Sequence, residues 1–389
     1  MTRECIDFAR EHLNDDTARL LLSSAKHPGI DMPLAVQQIE GMRAASTKWP
    51  GLLQHTDYAY PPRLNREQAS SEATARYKAT LLPTHGRVAD LTGGMGIDSL
   101  AFASQATEVD YVERESSLCA LEERNFRTIK ADNIRCHCAD SIEWLRGRGH
   151  YDTIFIDPAR RNAAGRKVAA FEDCQPDLPA ELPLIRQHCT LLMVKASPMI
   201  DLQLASTQLQ NVEQIHIVAL RGECKEVLFL CAGQPTEPVI HCVDLHPSHS
   251  FHCSFTPSQA IAAQATFCTT VGKYIYEPHA ALMKAGYYSL IGQRWQLPLL
   301  APSTHLYTSS TLQASFPGRI FQVLQPLTFD RKAVSKAIPG GQAHVVVRNF
   351  PMEAAALQRK LGLREGGELF VIAATVGTRH AALLCRRIK

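Results

Sequence analysis

No stretch of this 389-residue chain comes near eighteen uninterrupted apolar residues, so a membrane-spanning helix of ordinary length is not expected. The opening, Met1-Thr2-Arg3-Glu4-Cys5-Ile6-Asp7, lacks the basic-then-apolar order of a secretory leader. No C-x-x-C pair occurs among the twelve cysteines, which lie scattered from Cys5 to Cys385, and a chain this long has no need of covalent staples. Internal repeats and low-complexity tracts are also missing. The expectation is a cytoplasmic protein with no membrane partner and with reduced, mostly buried thiols. What is present is ordinary for a globular protein of two or three domains: 45% hydrophobic residues, 20% charged, 22 Gly and 22 Pro, which excludes disordered and fibrous classes.

Net charge is only +3, but it is unevenly spread. From Ile320 to Lys389 there are eleven Lys+Arg against four Asp+Glu, a local excess of +7 that leaves −4 for everything before it. Such a basic module suits a phosphate backbone, while a merely solvated face is the plainer reading.

Texture changes along the chain. The first eighty or so residues read as helices, with three-and-four spacing in Ala18–Leu22 and Leu34–Glu40 and a third helix from about Asn65 to Leu82, stopped by Pro83. From Arg87 to about Ala232, apolar runs alternate with stretches of helical length, the sign of a parallel sheet covered by helices. Seven strands are expected, at Arg87–Leu91, Glu108–Val112, Ile134–Cys138, Thr153–Ile156, Leu191–Val194, Gln214–Ala219 and Val227–Cys231. The last two are too close for a crossover helix and should pair antiparallel at one edge. Proline punctuation beyond Gln234-Pro235 and at Phe316-Pro317-Gly318 marks two further breaks. The basic module should hold strands at Ile320–Leu324, Ala343–Val347 and Glu368–Ala373 and a helix at Met352–Leu361.

The strongest chemical signal is Asp90-Leu91-Thr92-Gly93-Gly94-Met95-Gly96-Ile97-Asp98, directly after the first strand and opening the next helix. Glycines there let a ligand approach the backbone, and the helix start offers free N–H groups. The second strand ends in Glu113, about twenty residues on, where a carboxylate can accept hydrogen bonds from both ribose hydroxyls of an adenosine cofactor. Asp140, after the third strand, suits the adenine amino group or a helix cap. The spacing fits neither G-x-G-x-x-G nor G-x-x-x-x-G-K-[ST], and Asp90 repels phosphate but suits a cationic ligand. S-adenosylmethionine is therefore favoured over NAD or ATP. Asp157-Pro158-Ala159-Arg160-Arg161 stands at the carboxyl end of the fourth strand, where ligands of open α/β sheets bind, and Asp157 should face the methyl donor.

Taken in order, these residues resemble the class I S-adenosylmethionine-dependent methyltransferases. Asp90–Gly96 matches the first motif, Glu113 the second, Asp140 the third and Asp157–Arg160 the catalytic-strand motif, over roughly residues 70 to 232. The resemblance implies a Rossmann-like α/β fold with a seven-stranded sheet, its antiparallel hairpin at the edge. It also implies a cofactor site of Asp90, Thr92, Gly93, Gly94, Gly96, Asp98, Glu113 and Asp140. More narrowly, Ser70-Ser71-Glu72, Tyr274–Ala285 and Gly366–Arg379 are similar to a bacterial methyltransferase family with a ferredoxin-like insert and a C-terminal THUMP-like domain. That implies four parts: an N-terminal helical domain (1–82), the methyltransferase domain (83–233), a ferredoxin-like α+β domain (234–316) and a basic THUMP-like domain (317–389). THUMP domains are associated with RNA, so tRNA or rRNA is the expected partner.

Amino-group methyltransferases often carry an aromatic residue in the catalytic-strand motif to stack on the target base; here Ala159 and Arg160 stand in those places, and Pro158, Arg160 and Arg161 look like substrate contacts, the arginines to phosphate. The order Lys78, Asp157, Lys195, Glu226 resembles the Lys-Asp-Lys-Glu tetrad of ribose 2′-O-methyltransferases. A lysine held by Asp157 and Glu226 and partly desolvated is expected to have a lowered pKa, enough to take a hydroxyl proton. Base methylation, methylation of a protein or small molecule, and a non-catalytic RNA-binding protein keeping the cofactor pocket are the alternatives. No metal is expected. His246, His249, His252 and Cys253 fit no zinc spacing and read as a loop, Cys136-His137-Cys138 reads as strand core, and Cys224 reads as a structural thiol. Tyr274, Tyr276, Tyr287 and Tyr288 read as core rather than as stacking platforms.

Overall fold

The computed structural model describes residues 2–160, 171–233, 237–246 and 250–389. Contacts divide the chain into two units, Met1–Ile215 with Glu226–Thr236 and His216–Lys225 with Glu237–Lys389.

In the first unit, α1 (Met32–Lys48) starts where Asp31 accepts a hydrogen bond from the Leu34 N–H at 3.1 Å, with Pro33 in the first turn. Its Ala35, Val36, Ile39, Met42 and Ala45 recur at three-and-four spacing and are buried with Trp49, Tyr58 and Tyr60. Met95 and Ile97, from the glycine-rich turn, belong to that same core, so the N-terminal helices share a core with the turn. The single helix expected from Asn65 to Leu82 is instead two, Arg63–Gln68 and α2 (Glu72–Ala79). Ser71 breaks it: its hydroxyl accepts from the Thr74 N–H at 3.2 Å and caps α2, while the Ser70 carbonyl accepts from the Trp49 indole at 2.7 Å.

Five parallel strands follow: β1 (Arg87–Asp90), β2 (Glu108–Glu113), β3 (Ile134–Cys138), β4 (Tyr151–Ile156) and β5 (Cys189–Ala196). They are interleaved with helices that include α3 (Ile97–Ala103) and α4 (Ser116–Thr128). β1 pairs with β2 and β4, β2 with β3, and β4 with β5, all parallel. β6 (Val212–Leu220) and β7 (Glu223–Cys231) are joined by Arg221-Gly222, both at positive φ, as the tightest hairpin turns require. β7 runs antiparallel to β5, Ala196 opposite Val227 and Leu192 opposite Cys231. The order β6-β7-β5-β4-β1-β2-β3 contains all seven expected strands, but the sheet has nine: two more continue it beyond β6, so the hairpin is not at its edge. Each strand is as long as its expected core or longer, except that β1 stops at Asp90.

The second unit holds the tip of that hairpin, with β8 (Val239–Leu245) beside β6 and β9 (Ser250–Phe255) antiparallel to β8. His216 stacks on His241 at 4.4 Å there. His252 and Cys253, read as loop, lie on strand β9, because Cys253 and Phe255 alternate inward; His249 lies outside the described residues. A six-stranded sheet comprises β10 (Tyr274–Pro278), β11 (Tyr307–Ser309), β12 (Gly318–Leu327), β13 (His344–Arg348), β14 (Leu369–Val376) and β15 (Arg379–Arg387), in the order β11-β10-β12-β15-β14-β13. Helices α5 (Arg331–Ala337) and α6 (Ala354–Leu361) bury Val334, Ile338, Leu357 and Leu361 against Val371, Ala373 and Leu384 of this sheet. No described helix is long and apolar enough to cross a membrane.

Candidate functional site

The carboxyl ends of β1 to β5 open on a cleft of about 550 Å³, where ligands of such sheets bind. It is lined by the glycine-rich turn, Glu113, Asp140, Asp157 and Lys195.

The turn is fixed from both sides. A Cβ on Gly93 would stand 2.2 Å from the ring of the fully buried Tyr111, and Gly96, at φ +68°, would press on Phe126 at 2.6 Å. Neither position has room for a side chain. Tyr111 donates its hydroxyl to the Gly94 carbonyl at 2.6 Å, and Glu113 accepts the Gly94 N–H at 3.0 Å and the Glu115 N–H at 2.8 Å. Strand β2 thus clamps the turn, and Glu113 keeps its carboxylate at the cleft wall. Asp140 lines the cleft while also capping the next helix, accepting from the N–H groups of Ile142 and Glu143 at 3.0 and 3.1 Å. Thr92 accepts the Asp157 N–H at 2.7 Å, tying the end of β1 to the end of β4.

Asp90 stands behind the turn rather than in the cleft. It has no exposed surface, and its oxygens accept from the Thr92 N–H at 3.1 Å and the Ser99 hydroxyl at 2.6 Å. Burial pushes its carboxyl up to about 7, against the opposing pull of those two bonds, with Asp98 and Asp157 adding to the rise. The folded state therefore binds this proton more tightly than the unfolded chain, whose aspartates titrate near 3.9, so the residue's contribution to stability falls as pH rises from about 4 to about 7. Asp90→Asn removes that dependence: on going from about pH 5 to about pH 8 the variant should gain on the wild type by on the order of 2–4 °C in Tm. Parallel Tm profiles in a thermal scan would contradict this.

The four residues of the expected tetrad are brought together, but only half of them reach the cleft. Lys78, fully buried, donates to Glu226 at 2.6 Å and to Ser70 at 3.1 Å, and its ammonium lies 3.2 Å from Asp98. Glu226 is buried as well, and neither it nor Lys78 lines the cavity. Lys195 and Asp157 do line it, and the Lys195 ammonium binds the Asp157 carboxylate. The expected lowering of a lysine pKa does not occur at Lys195. Burial works to lower it, but the carboxylates of Asp157, Asp98 and Glu226 outweigh burial and raise it above the ordinary lysine range.

Of the substrate-side residues, Pro158 is not among those lining the cleft although Ala159 after it is, the described part of Arg160 is its place in a two-residue strand, and Arg161 lies outside the described residues. Three residues the sequence did not single out for the site are Ser70, which donates to Asp98 at 2.7 Å, Ser99 behind Asp90, and Tyr111 on the turn. Each is a common residue in an element read for other reasons. Among the described residues no group of three or more His, Cys, Asp or Glu could hold a metal ion. Tyr276 is buried in the second unit, its hydroxyl bonded to Ser309 and Thr311, and Cys224 is half-buried in the hairpin.

A crystal structure of a "putative methyltransferase" from Porphyromonas gingivalis W83 is 30% identical to this chain and superposes with a TM-score of 0.88, covering 99% of this chain and 98% of that one. Residues 274–317 match a family described as a ferredoxin-like domain, and residues 318–387 one described as THUMP domain-like. The chain belongs to this family of S-adenosylmethionine-dependent methyltransferases. A relative in Mycobacterium tuberculosis H37Rv, named as an uncharacterized S-adenosylmethionine-dependent methyltransferase, is 26% identical over 328 residues, 82% of this chain and 87% of the relative. A shorter similarity, 37% over 78 residues, covers 18% of this methyltransferase and 31% of the ribosomal RNA small subunit methyltransferase J of Bdellovibrio bacteriovorus HD100. The methyltransferase takes S-adenosylmethionine as its cofactor, and the cleft fits it: volume for a nucleoside with an amino-acid tail, a carboxylate at the end of β2, and a second carboxylate and an ammonium at the ends of β4 and β5.

Proposed function

We propose that this methyltransferase modifies RNA, tRNA or rRNA, at a nitrogen of a base. Support for RNA comes from the THUMP-like match, the excess of +7 after residue 320 and the segment shared with a ribosomal RNA methyltransferase. The observation that carries the choice of atom is the Asp157–Lys195 pair in the cleft. Lys195 is held charged, so it orients Asp157 and cannot take a proton from a ribose hydroxyl. A base nitrogen needs no prior deprotonation by a strong base; Asp157 accepts its N–H hydrogen bond and receives the proton as the new N–C bond forms. S-adenosylmethionine supplies the electrophilic methyl group and a good leaving sulfur, and the chain supplies alignment and a water-poor cleft. In this reading Glu113 holds the ribose, Asp140 the adenine amino group, and Thr92, Gly93, Gly94, Gly96 and Asp98 surround the rest of the cofactor.

Ribose 2′-O-methylation is the second reading, favoured by the meeting of Lys78, Asp157, Lys195 and Glu226 in one network. Total tRNA and rRNA from a deletion strain, incubated with the enzyme and labelled S-adenosylmethionine and digested to nucleosides for mass spectrometry, decides between them. A base-methylated nucleoside is expected. A 2′-O-methylnucleoside would move the assignment to the second reading, and no label in any RNA would refute the RNA substrate. For the cofactor, Glu113→Gln should weaken S-adenosylmethionine binding about 10- to 100-fold in a calorimetric titration, since a neutral amide replaces a charged acceptor of two hydrogen bonds. Unchanged affinity would remove Glu113 from the site.

A further inference from the structure

Six exposed cations of the second unit gather on its helical layer. Val334 of α5, Ile338 just after it, and Leu357 and Leu361 of α6 face the sheet, which leaves Lys332, Lys336, Arg359 and Lys360 on the opposite, exposed side. Two more exposed arginines stand where the two helices meet. Arg331 lies over the end of α6, its Nε 2.4 Å from where a Gly362 Cβ would be, and Arg364 donates to the Gly340 carbonyl at 3.0 Å, just beyond the end of α5. None of these six has an ion pair among the described residues.

The two acids adjacent in sequence to Arg331 and Arg364 are engaged elsewhere. Asp330 caps α5 by accepting from the Ala333 N–H at 2.9 Å, and Glu365 is bound to His344. Cations in the last turn of a helix are favoured by its dipole, which accounts for Lys336, Arg359 and Lys360. The same dipole opposes Arg331 and Lys332, which occupy the first turn of α5, and Lys332 and Lys336, four residues apart on one helix face, repel each other. Like charges gathered against these local costs are what a polyanion would relieve.

We infer that the exposed side of α5 and α6, with Lys332, Lys336, Arg359 and Lys360 facing outward and Arg331 and Arg364 at the helix ends, is the surface on which RNA phosphates dock. The inference rests on the RNA reading above and adds the place of contact. It makes this layer a sequence-independent grip, since phosphate contacts position RNA without reading its bases.

The test uses the full chain and a labelled 20-nucleotide polyuridylate, with binding followed by fluorescence anisotropy over about 50 to 300 mM KCl. The variant Lys332→Gln/Lys336→Gln/Arg359→Gln/Lys360→Gln should lower the slope of log affinity against log salt by about 3, at roughly 0.7 per phosphate contact on a single strand, and weaken binding about a hundredfold near 0.1 M salt. The pair Lys332→Gln/Lys336→Gln should give about half the change in slope and guards against misfolding of the larger set. S-adenosylmethionine affinity should stay at the wild-type value in both. A steep wild-type slope left intact in the four-site variant would overturn this surface while leaving the RNA reading standing. An equal loss in Arg3→Gln/Arg10→Gln/Arg19→Gln/Lys26→Gln, exposed cations of the N-terminal helices, would overturn it too. No salt-dependent binding by the wild type to polyuridylate, with no methylation of cellular RNA, would remove the RNA reading and this inference together.

Discussion

Asp157→Ala should lower kcat about a thousandfold while S-adenosylmethionine binds within about threefold of its wild-type affinity. The residue lines the cleft, its backbone N–H is fixed by Thr92, and its carboxylate is oriented by Lys195, so its truncation removes the acceptor for the substrate proton without disturbing the turn. The cofactor-side carboxylate, Glu113, is held by other bonds, to the N–H groups of Gly94 and Glu115. Asp157→Asn should recover part of the loss, because an amide oxygen can still accept from Lys195 and from the substrate but cannot take the proton. Single-turnover methyl transfer with saturating labelled cofactor measures the effect apart from binding. Full turnover by Asp157→Ala would place the reaction elsewhere in the cleft.

Lys78→Met should destabilise the protein by about 3–5 kcal/mol, because it leaves the Glu226 and Asp98 carboxylates buried without their common cation. The change falls on a junction: Lys78 on α2, Asp98 on α3 and Glu226 on β7 come from three elements, and one ammonium joins them. Lys78→Met combined with Glu226→Gln should recover much of the loss, since the neutral amide no longer carries an unpaired charge. The readout is the midpoint of thermal or urea unfolding of the full chain. A Lys78→Met protein as stable as the wild type but inactive would instead make Lys78 a participant in the chemistry and return weight to the ribose reading.

The difference between those two lysines shows where the sequence stops being informative. Their linear order, with Asp157 and Glu226, is legible, and the structure does bring all four together. Which of them faces the cleft is a matter of burial, and the charge state of Lys195 depends on Asp98 and Glu226, 97 and 31 residues away along the chain. The seclusion of Asp90 is hidden for the same reason: nothing in Asp90-Leu91-Thr92 says that the Ser99 hydroxyl will turn back to it. β4, β5 and β7 were legible because central strands buried on both faces read as nearly unbroken apolar runs, and strand ends such as Cys189 and Thr190 were not, because their polar or short side chains carry no period. The break between Arg63–Gln68 and α2 escaped because no glycine or proline marks it, and its one signal is the capping by Ser71.

The hairpin of β6 and β7 bears on how the protein can be taken apart. Its base belongs to the first unit and its tip, His216–Lys225, to the second, so the chain passes between the units three times rather than once. A cut at the proline-rich stretch near residue 236, where composition changes, would leave the tip on the first fragment while His241, on which His216 stacks, departs with the second. Each unit is therefore assembled from two separate stretches of chain, and no single cut divides the protein into the two.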